Sequence, residues 1–158
     1  MDTPKDQLIS ILIADEPAAH ERLTNVVRRR AEGLVSISVA SGEEAGLARV
    51  TVVLKTTRFE AEAFRRHVEK MIDVVEAVLA EEFAVAQLAL MRVTVDGEAQ
   101  SRAVEALARH GARLLRRDVG QLVAQVSDLP ERIEAAVAEL SAIGPATAMR
   151  TGLVAMVG

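Results

Sequence analysis

Leu8-Ile-Ser-Ile-Leu-Ile-Ala14, followed at once by Asp15-Glu-Pro17, decides how the chain is read. A nearly continuous, Ile-rich apolar run marks a strand buried on both faces. Pro17 then sits where a first helical position falls, because its missing N–H is unneeded there. Beyond it Ala19, Leu23, Val26, Val27 and Arg30 recur at helical spacing, four of them apolar, and Gly33 ends the helix. Val35, Ile37 and Val39 alternate with Ser36, Ser38 and Ala40, a strand pattern. Ser41–Gly46 reads as a turn, Leu47–Leu54 as a strand, Phe59–Met71 as a helix through Ala61, Phe64, Val68 and Met71, and Asp73–Ala80 as a fourth strand.

The same order then begins again. Gln87–Val95 reads as a strand and Ala99–His110 as a helix with Val104, Leu107 and Ala108 inward, capped by Gly111. Ala112–Arg116 and Gln121–Val126 form a hairpin across Asp118-Val-Gly120. Pro130 opens a helix with Ile133, Val137 and Leu140 on one face, and Ala146–Val157 is the last strand. Two β-α-β-β-α-β passes, a repeat of about 75 residues, predict an α+β fold of two tandem ferredoxin-like units, residues 7–82 and 86–158. Glu81–Ala86, without Gly or Pro, is the expected joint. Two helices cover one face of a four-stranded sheet. Apolar groups on both faces of Leu8–Ile13 and Val50–Leu54 therefore need a cover over the second face or the edge, and a second copy of the chain is the simplest one.

Composition narrows the function. A chain of 158 residues buries roughly 70% of its unfolded surface, enough for a core without staples. The net charge of −4 argues against binding nucleic acid or an anionic membrane, which needs clustered basic excess. Three aromatics, all Phe, offer no base-stacking platform. With no Cys there is no disulfide, zinc-thiolate site or thiol nucleophile. No apolar run reaches the roughly 18 residues of a membrane helix. The polar Met1–Gln7 is unlike a signal peptide, so the expected location is the cytoplasm.

Five stretches also resemble a known family. They are Ile9-Ser-Ile-Leu-Ile-Ala-Asp-Glu-Pro17, Gly46-Leu-Ala-Arg-Val-Thr-Val52, Lys70-Met-Ile-Asp-Val-Val75, Gln87-Leu-Ala-Leu-Met-Arg-Val93 and Arg150-Thr-Gly-Leu-Val-Ala155. In this order they resemble the small regulatory subunit of acetolactate synthase, whose N-terminal half is an ACT domain. The resemblance implies a non-catalytic subunit that binds and activates a large catalytic subunit in branched-chain amino acid biosynthesis. It implies thiamine diphosphate, magnesium and FAD on that partner and none on this chain. It also implies a homodimer through the ACT domains, with an amino-acid effector, often valine, at their interface. Where many members have Arg-Glu-Leu before the fifth strand, this chain has Ala86-Gln-Leu88.

The implied effector site is Asp15, Glu16, Pro17, Ala18 and Ala19 in the first strand-to-helix loop, with Gly33 from the other chain. Such a loop offers backbone N–H groups and a helix dipole to a carboxylate. Three positions depart from the family: Asp15 and Gly33 stand where Asn is expected, and Ala18 where Gly is expected. An ionised Asp15 only accepts, so it repels a carboxylate. Ala18 adds a Cβ where the backbone must approach closely, and Gly33 has nothing to reach across with. At roughly 1–3 kcal/mol per lost hydrogen bond, weak or absent valine feedback is expected, or a changed ligand whose ammonium meets Asp15.

Nothing else in the sequence forms a catalytic constellation. His20, His67 and His110 lie on separate helices without metal-ligand spacing, and each reads as a surface or half-exposed residue. Arg28-Arg-Arg30 and Glu43-Glu44 read as solvated, Ser36 and Ser38 as strand residues, and Met91, Met149 and Met156 as core. Two other readings stand beside the regulatory subunit. One is a stand-alone ACT amino-acid sensor with a different target, the other a structural paralogue that senses nothing.

Overall fold

The structure is a computed structural model and describes residues 3–81 and 83–157. It comprises two compact units, one made of the residues up to Ala84 with Leu153 onward, the other of Val85–Gly152. The first contains β1 (Lys5–Ala14), α1 (Pro17–Arg30), β2 (Leu34–Ser41), β3 (Leu47–Thr56), α2 (Arg58–Val68) and β4 (Val74–Leu79). Its antiparallel sheet runs β2-β3-β1-β4, the order a split β-α-β makes when the second hairpin strand returns beside the first strand. Ile9, Ile11 and Ile13 of β1 and Val50, Val52 and Leu54 of β3 meet Ala19, Leu23 and Val27 of α1 and Ala61, Phe64 and Val68 of α2 in one core.

Leu8, Ser10, Thr51 and Val53, on the helix-free side of β1 and β3, are buried as well. On the edge strand β2, Leu34, Val35, Ile37 and Val39 are all exposed, as are Phe59, Ile72 and Val75 elsewhere in this unit. Ile37 pairs with Val52 and Val39 with Val50, so both lie in register with core positions.

The second unit contains β5 (Phe83–Thr94), α3 (Gly97–Arg109), β6 (Arg113–Asp118), β7 (Gln121–Asp128), α4 (Pro130–Ile143) and β8 (Ala146–Arg150). Its strand order β6-β7-β5-β8 repeats that of the first. The fold is α+β, two tandem ferredoxin-like units. The second core joins Met91 and Val93 to Leu107, Leu122, Ile133 and Leu140.

Several expectations need correction. α2 stops at Val68, with Met71 beyond it in a turn. On α3 the inward positions are Ala103, Ala106 and Leu107; Val104 is half-buried and Ala108 exposed, because the stripe is one residue out of phase with the reading. Met91 is in the core, but Met149 is 74% exposed on the helix-free face opposite Leu90; the side chain of Met156 lies outside the described residues. The expected last strand is two, β8 and β9 (Val154–Val157). The break comes at Thr151-Gly152, where Thr151 turns its hydroxyl onto the Leu88 N–H (3.1 Å) and Gly weakens strand continuity. β5 begins at Phe83, so the expected joint is mostly strand. Among the described residues no helix is long and apolar enough to cross a membrane.

Candidate functional site

The loop from Asp15 to Ala19 is fastened at its base. The Ala14 N–H donates to the Asp73 carbonyl (3.0 Å) and the Asp15 N–H to the Gly46 carbonyl (2.9 Å). Asp73 is itself held by Arg22 of α1 through two bonds of 2.6 and 2.7 Å. Those bonds keep its carboxyl below the usual carboxylate range. Gly46 sits at φ +81°, a left-handed conformation that Gly adopts without steric cost. Two of the quoted stretches, around Gly46 and around Asp73, thus meet at the root of this loop. Sequence reading missed that role, although an isolated Gly before β3 and an Asp before β4 were visible signals of it.

The loop offers fewer donors than expected. The Glu16 N–H is turned back onto the Ala14 carbonyl (2.9 Å), and Ala19 and His20 both donate to the Glu16 carbonyl (3.0 and 3.1 Å). Pro17, the first helical residue, has no N–H. Of these positions only the Ala18 N–H has no backbone acceptor among the described residues. Glu16 is the N-cap but its side chain makes no capping bond, and Ala19 is fully buried. The helix-start anion site reduces to one N–H and the dipole.

Asp15 has a partner that the sequence did not suggest: His20 Nε2 lies 2.9 Å from its Oδ1. Five residues separate them across the first turn, outside the usual three-or-four helical spacing. This contact competes with any ligand ammonium for the carboxylate. His20 is half-buried, within the expected range of exposure.

Gly33 is not near this loop in one chain. α1 separates them by 14 residues, about 21 Å of helix at 1.5 Å per residue. Gly33 takes φ +72°, and a Cβ there would lie 2.4 Å from the Lys55 carbonyl oxygen. Its own carbonyl accepts from the Lys55 N–H at 2.8 Å. Glycine is required here by the turn into β2, independently of any ligand.

A further cluster surrounds Arg49, in the stretch Gly46–Val52. Its guanidinium reaches Glu43 (2.9 Å), Glu76 (3.3 Å) and the buried hydroxyl of Ser10 (3.2 Å). Glu43 is lowered by the bond from Arg49, then by a backbone bond, so it is engaged rather than free in water. In the second unit the Thr151 N–H donates to the Leu88 carbonyl (2.9 Å), and Gln87 Nε2 to the Thr151 carbonyl (2.7 Å). Arg150 meets Glu134 of α4 at 2.8 Å. Among the described residues no His, Asp or Glu group could hold a metal ion.

Residues 86–158 match the family described as the small subunit of acetolactate synthase. The chain is 25% identical over 150 residues to the acetolactate synthase small subunit of Mycolicibacterium smegmatis, covering 94% of this chain and 88% of that one. The chain is similar over nearly its whole length to acetolactate synthase small subunits. Chloroplastic small subunit 2 of Arabidopsis thaliana is 25% identical over 155 residues, 97% of this chain but only 32% of that longer protein. The crystal structure of the Thermotoga maritima acetolactate synthase small subunit superposes with a TM-score of 0.87, 22% identity and 96% of both chains covered. That likeness shows the fold.

Proposed function

We propose that the chain binds and activates the large catalytic subunit of acetolactate synthase in the cytoplasm, with valine feedback weak or altered. We assign residues 7–82 to an ACT domain and 86–158 to the C-terminal domain of this subunit. The observation that carries the reading is the full-length similarity to small subunits combined with a loop whose donors are turned inward. Thiamine diphosphate, magnesium and FAD belong, on this reading, to the catalytic partner. Homodimerisation through the ACT domains is supported by the exposed apolar edge β2, since an unpaired apolar strand edge invites a second copy. Dimerisation would also bring one chain's Gly33 toward the other chain's Asp15–Ala19 loop, which a single chain keeps about a helix length apart.

The altered loop favours activation without sensing over a stand-alone amino-acid sensor. Sedimentation of this chain with the catalytic subunit of the same organism, alongside acetolactate formation by the mixture, tests the proposal. A stable complex with raised activity supports it. A chain that sediments apart and leaves the rate unchanged moves the reading to another target.

A further inference from the structure

The last turn of α1 carries Arg28, Arg29 and Arg30 in succession. A helix C-terminus presents about half a negative charge, so one cation balances it and the other two are in excess. Other arginines of this unit are neutralised: Arg22 by Asp73, Arg49 by Glu43 and Glu76, and Arg65 by Glu62 and Glu69. Arg28 and Arg29 reach only Asn25. Among the described residues no ion pair includes Arg30 or His67.

Two adjoining hollows, of about 290 and 400 Å³, are both lined by Arg30 and His67. The larger adds Arg29, and the smaller adds Leu54, Ala63 and Phe64. Together they form a groove between the end of α1 and the flank of α2. Burial, then the nearby charges of Arg30 and Lys70, hold His67 below its ordinary pKa. Glu32 and Glu60 also line the smaller hollow. Their charges oppose a polyanion most strongly at short range.

We propose that this groove binds a small monocarboxylate with a short apolar tail, the carboxylate between Arg30 and His67 and the tail on Leu54, Ala63 and Phe64. The planar guanidinium fork suits a carboxylate. The smaller hollow sets Ala63 and the largely buried Leu54 and Phe64 beside polar Thr56, Glu32 and Glu60, so convergent polar groups fix the orientation of a small ligand there. The groove shares no residue with the Asp15–Ala19 loop, so it is a second ligand site on the same unit.

Isovalerate is the probe, titrated into the full chain by calorimetry while the His67 imidazole is followed by NMR. The expected result is saturable binding with Kd of about 1 mM, modest for so small a ligand. The His67 pKa should rise on saturation, because a bound anion favours the imidazolium. Arg30→Gln should weaken binding at least tenfold. Ala63→Leu should also weaken it by filling the groove, while leaving the His67 titration of the free protein in place. Equal binding of isoamyl alcohol would reduce the site to an apolar hollow, and equal binding of inorganic phosphate to an unselective basic patch; either overturns the proposal. So would undiminished binding by Arg30→Gln, or no saturation at 20 mM.

Discussion

Replacing Gly33 separates what its backbone requires from what a ligand would want. A Cβ at this position would sit 2.4 Å from the Lys55 carbonyl oxygen, and φ is +72°. An alanine in the left-handed region costs about 1–2 kcal/mol. Relieving the contact must also pull β2 from β3, stretching the 2.8 Å bond from the Lys55 N–H to the Gly33 carbonyl, worth about 0.5–1.5 kcal/mol. Gly33→Ala should therefore lose about 2–3 kcal/mol. Gly33→Asn is the more informative variant. Asparagine tolerates left-handed φ, so most of the first cost disappears, but its Cβ meets the same carbonyl. It should lose about 1–2 kcal/mol and still fail to create valine binding, because Asp15 and Ala18 remain. Native-state amide exchange at Lys55 reads the local opening, and urea unfolding followed by circular dichroism reads the global loss. A Gly33→Asn protein as stable as the parent, with unchanged Lys55 protection, would refute the argument that the turn itself demands glycine.

Other consequences follow from the same contacts. Thr57→Ala removes the capping box in which Thr57 and Glu60 exchange bonds of 3.3 and 3.1 Å; a loss of about 1 kcal/mol is expected in thermal or urea unfolding. Ser36 and Ser38 bury their hydroxyl oxygens without partners among the described residues, so Ser38→Ala should be neutral or stabilising by up to about 1 kcal/mol. The bonds from Arg65 hold Glu62 from an ordinary 4.5 down to about 2. A depressed carboxyl stabilises fully above its unfolded pKa and loses that contribution as pH falls through the folded one. Acid titration of unfolding between pH 4.5 and 2 should thus show a steeper loss for the parent than for Glu62→Gln. Arg22→Gln frees Asp73 at the root of the Asp15 loop and should speed amide exchange at Ala14 and Asp15 while sparing the second unit.

The repeat was legible because burial wrote it into residue spacing. The Ile-rich run of β1 reflects a buried strand and Pro17 a helix start, while the alternation in β2 places Val35, Ile37 and Val39 on one exposed apolar side of an edge strand. The contacts that shape the candidate site were not legible, for a physical reason. They join residues far apart in sequence through groups that follow no period: the Ala14 N–H to Asp73, the Asp15 N–H to Gly46, and Arg49 to Glu43 and Glu76. The departures at Asp15, Ala18 and Gly33 were visible as letters. That the neighbouring N–H groups turn back onto Ala14 and Glu16 was not, since backbone donors carry no sequence signature. Alanine-rich helices also defeat phase reading, because Ala fits both the core side and the water side of α3. Hence Ala106 is buried and Ala108 exposed.

The most direct test of the account is acetolactate formation by the same organism's catalytic subunit, with and without this chain, across a valine titration. The account predicts stimulation that millimolar valine does not reverse. Stimulation abolished by micromolar valine would contradict it, because a loop with one free N–H and a carboxylate at Asp15 could not then be the reason for weak sensing.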